Sequence, residues 1–494
     1  MATTYEPADP VAKGTLATAR QSWSDLFKWK QRVEVTDEHG ETHTEWQSPE
    51  PLQNPISLMA QLSAKDWLYF VVGFSAWTAD AFDFHALSIQ TTKFAAFYKR
   101  SNNRYHDFGA AIFGLAGDKW GRKWPMVVNM LVLGLLQVAT IYCSTFQQFL
   151  GVRSLFGLFM GGVYGNAIAM ALENCPMNAR GLMSGILQQG YSFGYVIAAC
   201  ANLGVGGSTE SWKTVFWIGA GISIGVGLIR ICFPESKQFI EAKKAGKEAK
   251  AAANSGRRQR PCLRRNGASD QNQFNYYSHT SQDSYTTFMK TQKHLSNSPA
   301  TRASILMKTG ACVGGTIIGY LSQFVGRRRA IVVAAIMSAF LIPAWILPEG
   351  ERSLSVSGFF IQFFVQGAWG VIPIHLNELS PPAFRSSFPG ITYQLGNMIS
   401  SPSAQIVNAI AESHLIKSNQ GKLVSSYGPT MGIATAIIAT GIAVTTALGP
   451  EKRGRKFANV DPPDAEKDLE AGRTSSNSSR DEDEKVGVEH KEKV

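Results

Sequence analysis

The stretch NYYSHTSQDSYTT, beginning at Asn275, carries a histidine and an aspartate four residues apart. At 100° per residue, Asn275, His279, Asp283 and Thr287 fall on one stripe of a helix, with Gln282 and Thr286 beside it. Phe274, Tyr277, Tyr285 and Phe288 fall on the opposite face. A His–Asp pair at i, i+4 can share a proton near neutral pH, because imidazole titrates at about 6.5. On a surface helix such a pair is ordinary electrostatics. Inside a bilayer it costs too much to be incidental, and ionisable groups there face a cavity or a proton path. Two further pairs have suggestive spacing. Gln394 and Asn397 put two amides on one helix face at i, i+3, able to bind a carboxylate or to hydrogen-bond a neighbouring helix. Asp80 and Asp83 lie one turn apart and can share proton duty; alternatively, Asp83 and His85 mark the water-exposed end of their helix.

No nucleophile–base arrangement accompanies these groups. The six cysteines (Cys143, Cys175, Cys200, Cys232, Cys262 and Cys312) are scattered, without metal-ligand spacing. We therefore expect no enzyme, no catalytic residues, no metal and no cofactor, a proton serving as coupling ion.

The elements that position these residues must be membrane helices. The 494 residues have a mean hydropathy near zero, but that value blends polar ends with apolar runs between 67 and 448. A run of ~20 apolar residues is what ~30 Å of hydrocarbon demands. Candidate spans are 67–90, 125–144, 148–172, 182–203, 214–233, 303–325, 330–347, 354–377, 387–410 and 427–448. Even spacing asks for two more, near 104–117 and 274–290. No early apolar core suggests a cleavable leader. The net charge of +11 is spread over helix ends and the 234–273 stretch, which suits the positive-inside rule and not a nucleic-acid surface. Twelve spans place both termini in the cytoplasm.

The chain also repeats itself at an offset of 205 residues. GLAGDKWGRK (114–123) corresponds to GYLSQFVGRRR (319–329), and ALENCPMNARG (171–181) to LNELSPPAFRS (376–386). Glu173 pairs with Glu378 and Arg180 with Arg385, while Gly185 and Gln189 match Gly390 and Gln394. Two parallel six-helix halves joined by a long basic loop resemble the major-facilitator plan, an all-α polytopic membrane fold. The 114–123 loop resembles that superfamily's signature, with Asp118 and Arg122 able to pair across a gate and Arg327 as the repeat of Arg122. Glu173, Arg180, Glu378 and Arg385 read either as helix-end charges or as part of the same gate.

N-x-x-S-H-x-S-Q-D-x-x-x-T, met here by Asn275, Ser278, His279, Ser281, Gln282, Asp283 and Thr287, resembles the signature of fungal Jen-type carboxylate:proton symporters. AWTADAFDFH (76–85), QQGYSFGY (188–195), HLNELSP (375–381) and YQLGNMISSPSAQ (393–405) extend the likeness over roughly residues 50 to 455. The resemblance implies import of short monocarboxylates (lactate, pyruvate, acetate) or dicarboxylates (malate, succinate) with protons at the plasma membrane. Its partners would be the substrate and the lipid bilayer, with no nucleic acid. It places Asn275, His279, Asp283, Gln282 and Thr287 in the translocation path, and Gln394 and Asn397 on its far wall.

Two places depart from the pattern. YKRSNNRYHD (98–107) stands where the second helix needs apolar residues, and His106 falls where similar proteins carry an arginine thought to meet the carboxylate. RRQRPCLRRNGASDQNQ (257–273) precedes the signature, which predicts only about half a seventh helix. The expected organisation is an N-terminal tail (1–65), a first half (66–233), a basic loop (234–273), a second half (274–448) and a disordered C-terminal tail (449–494). A transport-incompetent or sensor-type relative, or a sugar:proton symporter, are the competing readings.

Overall fold

Helix starts along this chain are chemically marked. The Ser63 hydroxyl accepts from the Asp66 amide while the Asp66 carboxylate accepts from the Ser63 amide, and Thr145 with Gln148 repeats the arrangement. Each box fills two donors that a helix start leaves open. The computed structural model describes residues 4–7, 15–36, 42–49, 51–90, 97, 123–173, 175–205, 210–234, 265–380, 387–417 and 423–454. Its order is β1 (Thr4–Pro7), α1 (Thr15–Leu26), β2 (Gln31–Thr36), β3 (Thr42–Gln47), α2 (Pro55–Ala60), α3 (Ala64–Ile89), α4 (Lys123–Ile141), α5 (Phe146–Met160) and α6 (Val163–Glu173). There follow α7 (Arg180–Gln188), α8 (Gly190–Val205), α9 (Ser211–Ile231), α10 (Arg265–Gln282), α11 (Tyr285–Thr291), α12 (Asn297–Val325), α13 (Arg327–Ile346) and α14 (Glu351–Leu379). The chain ends with α15 (Ser387–Ser400), α16 (Ser403–Ser413), the hairpin β4 (Leu415–Lys417) and β5 (Leu423–Ser425), and α17 (Tyr427–Leu448). Residues 1–236 and 264–456 make one compact unit; the other, 237–263 with 457–494, lies outside the described residues.

Among the described residues, seven helical stretches are long and apolar enough to cross a membrane. The rest of the bundle is more polar or is interrupted: α3, the pair α7–α8, the pair α10–α11 and the pair α15–α16. All ten spans expected from hydropathy fall on helices or such pairs, and the one near 274–290 falls on α10–α11. The span near 104–117 lies outside the described residues, as do Asp118, Arg122, His106 and Arg385 and most of the basic loop. The repeat is visible in the element bounds. Lys123–Ile141 recurs as Arg327–Ile346, and Phe146 to Glu173 recurs as Glu351–Leu379, each displaced by 205 residues to within one position.

The seventh helix corrects the expectation of a half-length segment. α10 begins at Arg265, nine residues before Phe274, and at Gln273 it meets α17. Gln273 accepts a hydrogen bond from Thr445 Oγ1 of α17 at 3.1 Å. A polar helix start needs no lipid compatibility where neighbouring helices supply its partners.

The N-terminal segment is not a bare tail. β1, β2 and β3 form an antiparallel sheet in that order, and Val33 and Val35 are buried. α1 packs on α17, and the turn between α12 and α13 holds it. Arg328 Nη2 donates to the Ser22 carbonyl at 2.8 Å and Arg329 Nε to the Leu26 carbonyl at 2.6 Å. Behind this turn Arg327 and Glu378 form an ion pair at 3.2 Å with both side chains fully buried.

The two halves approach most closely where α7 meets α12. A Cβ on Gly319 would stand 2.6 Å from the Gly185 Cα, so only glycine allows these backbones to touch. Ser184 Oγ adds a bond to the Gly370 carbonyl at 2.9 Å.

Candidate functional site

α10 stops at Gln282 and the chain turns at Asp283 and Ser284 before α11 resumes. Helix interruptions at membrane depth are tolerated where side chains or a cavity take over the freed backbone groups. Here the turn swings the Asp283 carboxylate back onto its own helix, and Oδ2 lies 2.7 Å from His279 Nδ1. The pair is partly open, with 17% of the His279 and 30% of the Asp283 side chain accessible. The Asn397 side chain, on α15, lies close to His279 and to Tyr393. One candidate amide thus stands beside the His–Asp pair, while Gln394 is half-buried one turn away.

The remaining signature residues knit helices together. Asn275 is buried and donates to the Tyr393 carbonyl at 3.0 Å. Ser278 Oγ accepts from both Gln282 Nε2 (2.7 Å) and Gln366 Nε2 (3.1 Å), and Ser281 Oγ accepts from Gln362 Nε2 (3.0 Å). Thr287 is half-buried, its carbonyl accepting from Thr291. Gln282 lies at the heart of the cluster. Its Oε1 accepts from the ammonium of Lys308, a residue of α12 that sequence reading passes over. Lys308 is only 2% exposed and lies over the rings of Tyr195 (5.0 Å) and Tyr191 (5.6 Å) from α8. Both tyrosines also flank His85 of α3, at 5.0 and 4.7 Å between centroids. The signature helix, with Lys308 of α12, therefore faces two elements of the first half, α3 and α8, through one polar and aromatic cluster.

On the first helix the two aspartates separate. Asp83 Oδ1 accepts from Gln137 Nε2 (3.0 Å) and Oδ2 from Ser223 Oγ (2.7 Å), while Arg153 Nη1 donates to Gln137 Oε1 (2.7 Å). Gly219 of α9 leaves the room for this carboxylate, since a Cβ there would collide with Oδ1. Asp83 is thus braced among α3, α4, α5 and α9. Asp80, equally buried, has no hydrogen-bond partner on either oxygen among the described residues. The expectation that Asp83 and His85 mark a water-exposed helix end is overturned: they are 0% and 4% exposed. α3 continues to Ile89, which carries both past the solvent boundary and into the packed bundle.

An aromatic layer adjoins the cluster. Tyr164 and Tyr393 stack at 3.9 Å, and Trp77 meets them at 4.8 and 5.7 Å, joining helices of both halves. Sequence reading names none of these rings. The alternation of aromatics in QQGYSFGY is the one local sign of Tyr191 and Tyr195. Of the gate residues, Arg327 and Glu378 are joined as above. Arg180 is buried, its Nε donating to the Cys175 carbonyl at 3.2 Å, and Glu173 closes α6.

A two-half helical bundle with polar groups converging between the halves defines a membrane transporter of the major facilitator superfamily. The profile of the "Sugar (and other) transporter" family matches residues 69–293 and 265–444, and the chain belongs to that family. It is 30% identical over 441 residues to a "Carboxylic acid transporter protein homolog" of Saccharomyces cerevisiae, covering 82% of this chain and 71% of that one. It is 24% identical over 361 residues to a "Probable 4-methylmuconolactone transporter" of Cupriavidus pinatubonensis, covering 71% of this chain and 80% of that one. Its fold is similar to that of the proton:xylose symporter XylE, with a TM-score of 0.63 at 14% identity over 80% of this chain and 98% of XylE.

Proposed function

We propose that this protein is a secondary active transporter importing short mono- or dicarboxylates together with protons, by alternating access of its two halves. The plasma membrane would be its site and both termini would be cytoplasmic. The observation that carries this reading is the partly open His279–Asp283 contact, set beside the cluster in which Lys308 of the second half meets Tyr191 and Tyr195 of the first. A histidine bonded to a carboxylate at membrane depth can take a proton from one side and release it to the other, as its environment changes between states. Asp80 adds a second buried carboxyl group in the same half-to-half region. The 30% identity with a carboxylic acid transporter homolog supports the substrate class. Asn397, beside His279, would sense both the substrate and the proton.

Uptake of labelled lactate and succinate by cells expressing the chain, at acid and at neutral pH, tests this. Faster uptake at acid pH is expected, with the pH response lost on His279→Ala or Asp283→Asn. Uptake indifferent to pH would sink the coupling, and uptake of xylose without either acid would sink the substrate class.

A further inference from the structure

We infer that Lys308 is the residue that receives the substrate's carboxylate, and that the ligand is clamped from the other half by His85, Tyr191 and Tyr195. The inference rests on the functional reading above and deepens it. Lys308 is the twelfth residue of α12, about 16 Å along the helix from its start, so it stands near the middle of the span. A buried ammonium is costly unless a counter-charge and acceptors surround it. An ammonium has three donors. Among the described residues, Lys308 Nζ gives one to Gln282 Oε1 and meets the faces of Tyr191 and Tyr195, and no carboxylate lies within 4.0 Å of it.

The nearest acid, Asp283, is already bonded to His279. Among the described residues the other titratable neighbours are Tyr191, Tyr195, His279, His85 and, one turn along α12, Cys312. None is an anion that balances the lysine. Cation–π contacts soften the burial, and Asp283 acts on the ammonium only from beyond ion-pair distance, so no carboxylate is seated on it among the described residues. A substrate carboxylate supplies both the charge and the acceptors.

A second observation points to the same place. His85 is buried, and its Nε2 has no hydrogen-bond partner among the described residues. It sits edge-on to the two tyrosines over which Lys308 lies. A short acid bound to Lys308 is within the cluster that holds His85, whose ring nitrogen can meet the second oxygen or a hydroxyl. Lys308 belongs to the second half and His85, Tyr191 and Tyr195 to the first. A ligand held by both halves is one whose binding depends on their relative position, which alternating access requires. With one lysine among the described residues of this cluster, one carboxylate is neutralised, and the ligand class is the short monocarboxylates.

The full-length protein, purified in detergent, would be melted against increasing L-lactate, lactamide and succinate. Lactate is expected to raise the melting temperature of the wild type, lactamide not to, and succinate to require higher concentrations. Lys308→Gln should weaken lactate about ten- to a hundredfold, the scale of a charge-assisted hydrogen bond, while Lys308→Arg keeps it within about tenfold. Gln282→Glu provides a variant of unchanged volume that places a carboxylate on Lys308 from within, and it should weaken lactate to the same degree. It guards against misfolding of Lys308→Gln, because it adds an ion pair where a hydrogen bond already exists. Wild-type stabilisation by lactate that persists unchanged in Gln282→Glu or Lys308→Gln overturns the role of Lys308 alone. Equal stabilisation by lactamide does the same, and tighter binding of succinate overturns the monocarboxylate assignment. A wild type that responds to neither acid overturns the functional reading itself.

Discussion

Two of the buried polar clusters in this bundle are built on opposite plans. Around Asp83, every polar atom of the carboxylate is used: Gln137 and Ser223 donate to its two oxygens, and Arg153 braces Gln137 from behind. All four residues belong to the first half. Around His279, Asp283 and Lys308, the bonding is incomplete, the pair is partly open, and the contacts cross between halves. A filled network specifies one packing and resists change. A partly filled one leaves capacity for a ligand. The same residue types, one turn or one helix apart, are thus scaffold in one place and site in the other.

The largest expected effect separates the two plans through stability. Asp83→Ala strands the Gln137 and Ser223 donors and leaves Arg153 without the carboxylate behind its bridge. The cost should approach the ~3–5 kcal/mol of removing one member of a buried charged network. His279→Ala removes a partly exposed partner and should cost about 1 kcal/mol or less. Detergent melting curves, read beside carboxylate uptake, check the contrast: the first variant should lose folded protein, the second should lose uptake while staying folded. A His279→Ala protein that melts as early as Asp83→Ala would make both clusters scaffold.

The contrast also marks what a linear chain can reveal. The ten spans are legible because hydropathy is a local property summed over a window. The halves are legible because the repeat needs no gap. His279 and Asp283 are legible because i, i+4 spacing is a helix property. Lys308 is not legible in this way. It is a single cation in an otherwise apolar run, and what it does depends on Gln282, Tyr191 and Tyr195 from two other helices. Asp80 and Asp83 have the same local sequence status, and only neighbours from α4 and α9 tell them apart. The front of α10 misleads for a related reason: polarity argues against lipid, but Gln273 meets α17. The strands of the N-terminal segment are short and hold two buried valines, too little pattern to stand out beside long apolar spans.

A middle-sized effect lies at the Arg327–Glu378 pair, a third buried cluster that belongs to the scaffold by the same criterion. Arg327 also donates to Ser322 Oγ (2.8 Å) and Gln323 Oε1 (2.7 Å), so it is well supplied with acceptors. Glu378→Gln keeps the shape and one acceptor oxygen but removes the charge, and should cost about 1.5–3 kcal/mol. Gly181 of the first half abuts this guanidinium, since a Cβ there would lie 2.8 Å from Nη1. The variant should therefore alter the rate of transport more than the substrate affinity. Uptake kinetics decide this: a raised KM with unchanged maximal rate would move the pair from the scaffold into the site.

The smallest effect is at the edge of the bundle, where Glu451 joins the turn between α12 and α13 to the end of α17. Its Oε2 accepts from the Arg328 amide at 3.1 Å. Burial raises its carboxyl pKa, but His375, Arg453 and Arg328 together outweigh that and hold it below the usual carboxylate range. A carboxylate with a depressed folded pKa stabilises the protein fully above its unfolded value near 4.5, and that contribution is lost as pH falls through the folded value. Glu451→Gln should thus cost about 1 kcal/mol at neutral pH, the scale of one such hydrogen bond. The gap between wild-type and variant melting curves should stay constant down to about pH 4.5 and close below it. The pH response of the His279–Asp283 site is read in uptake, not in melting. Were the Glu451 gap to close already near neutral pH, the edge of the scaffold would be titrating with the site, and the division between the two plans would fail there.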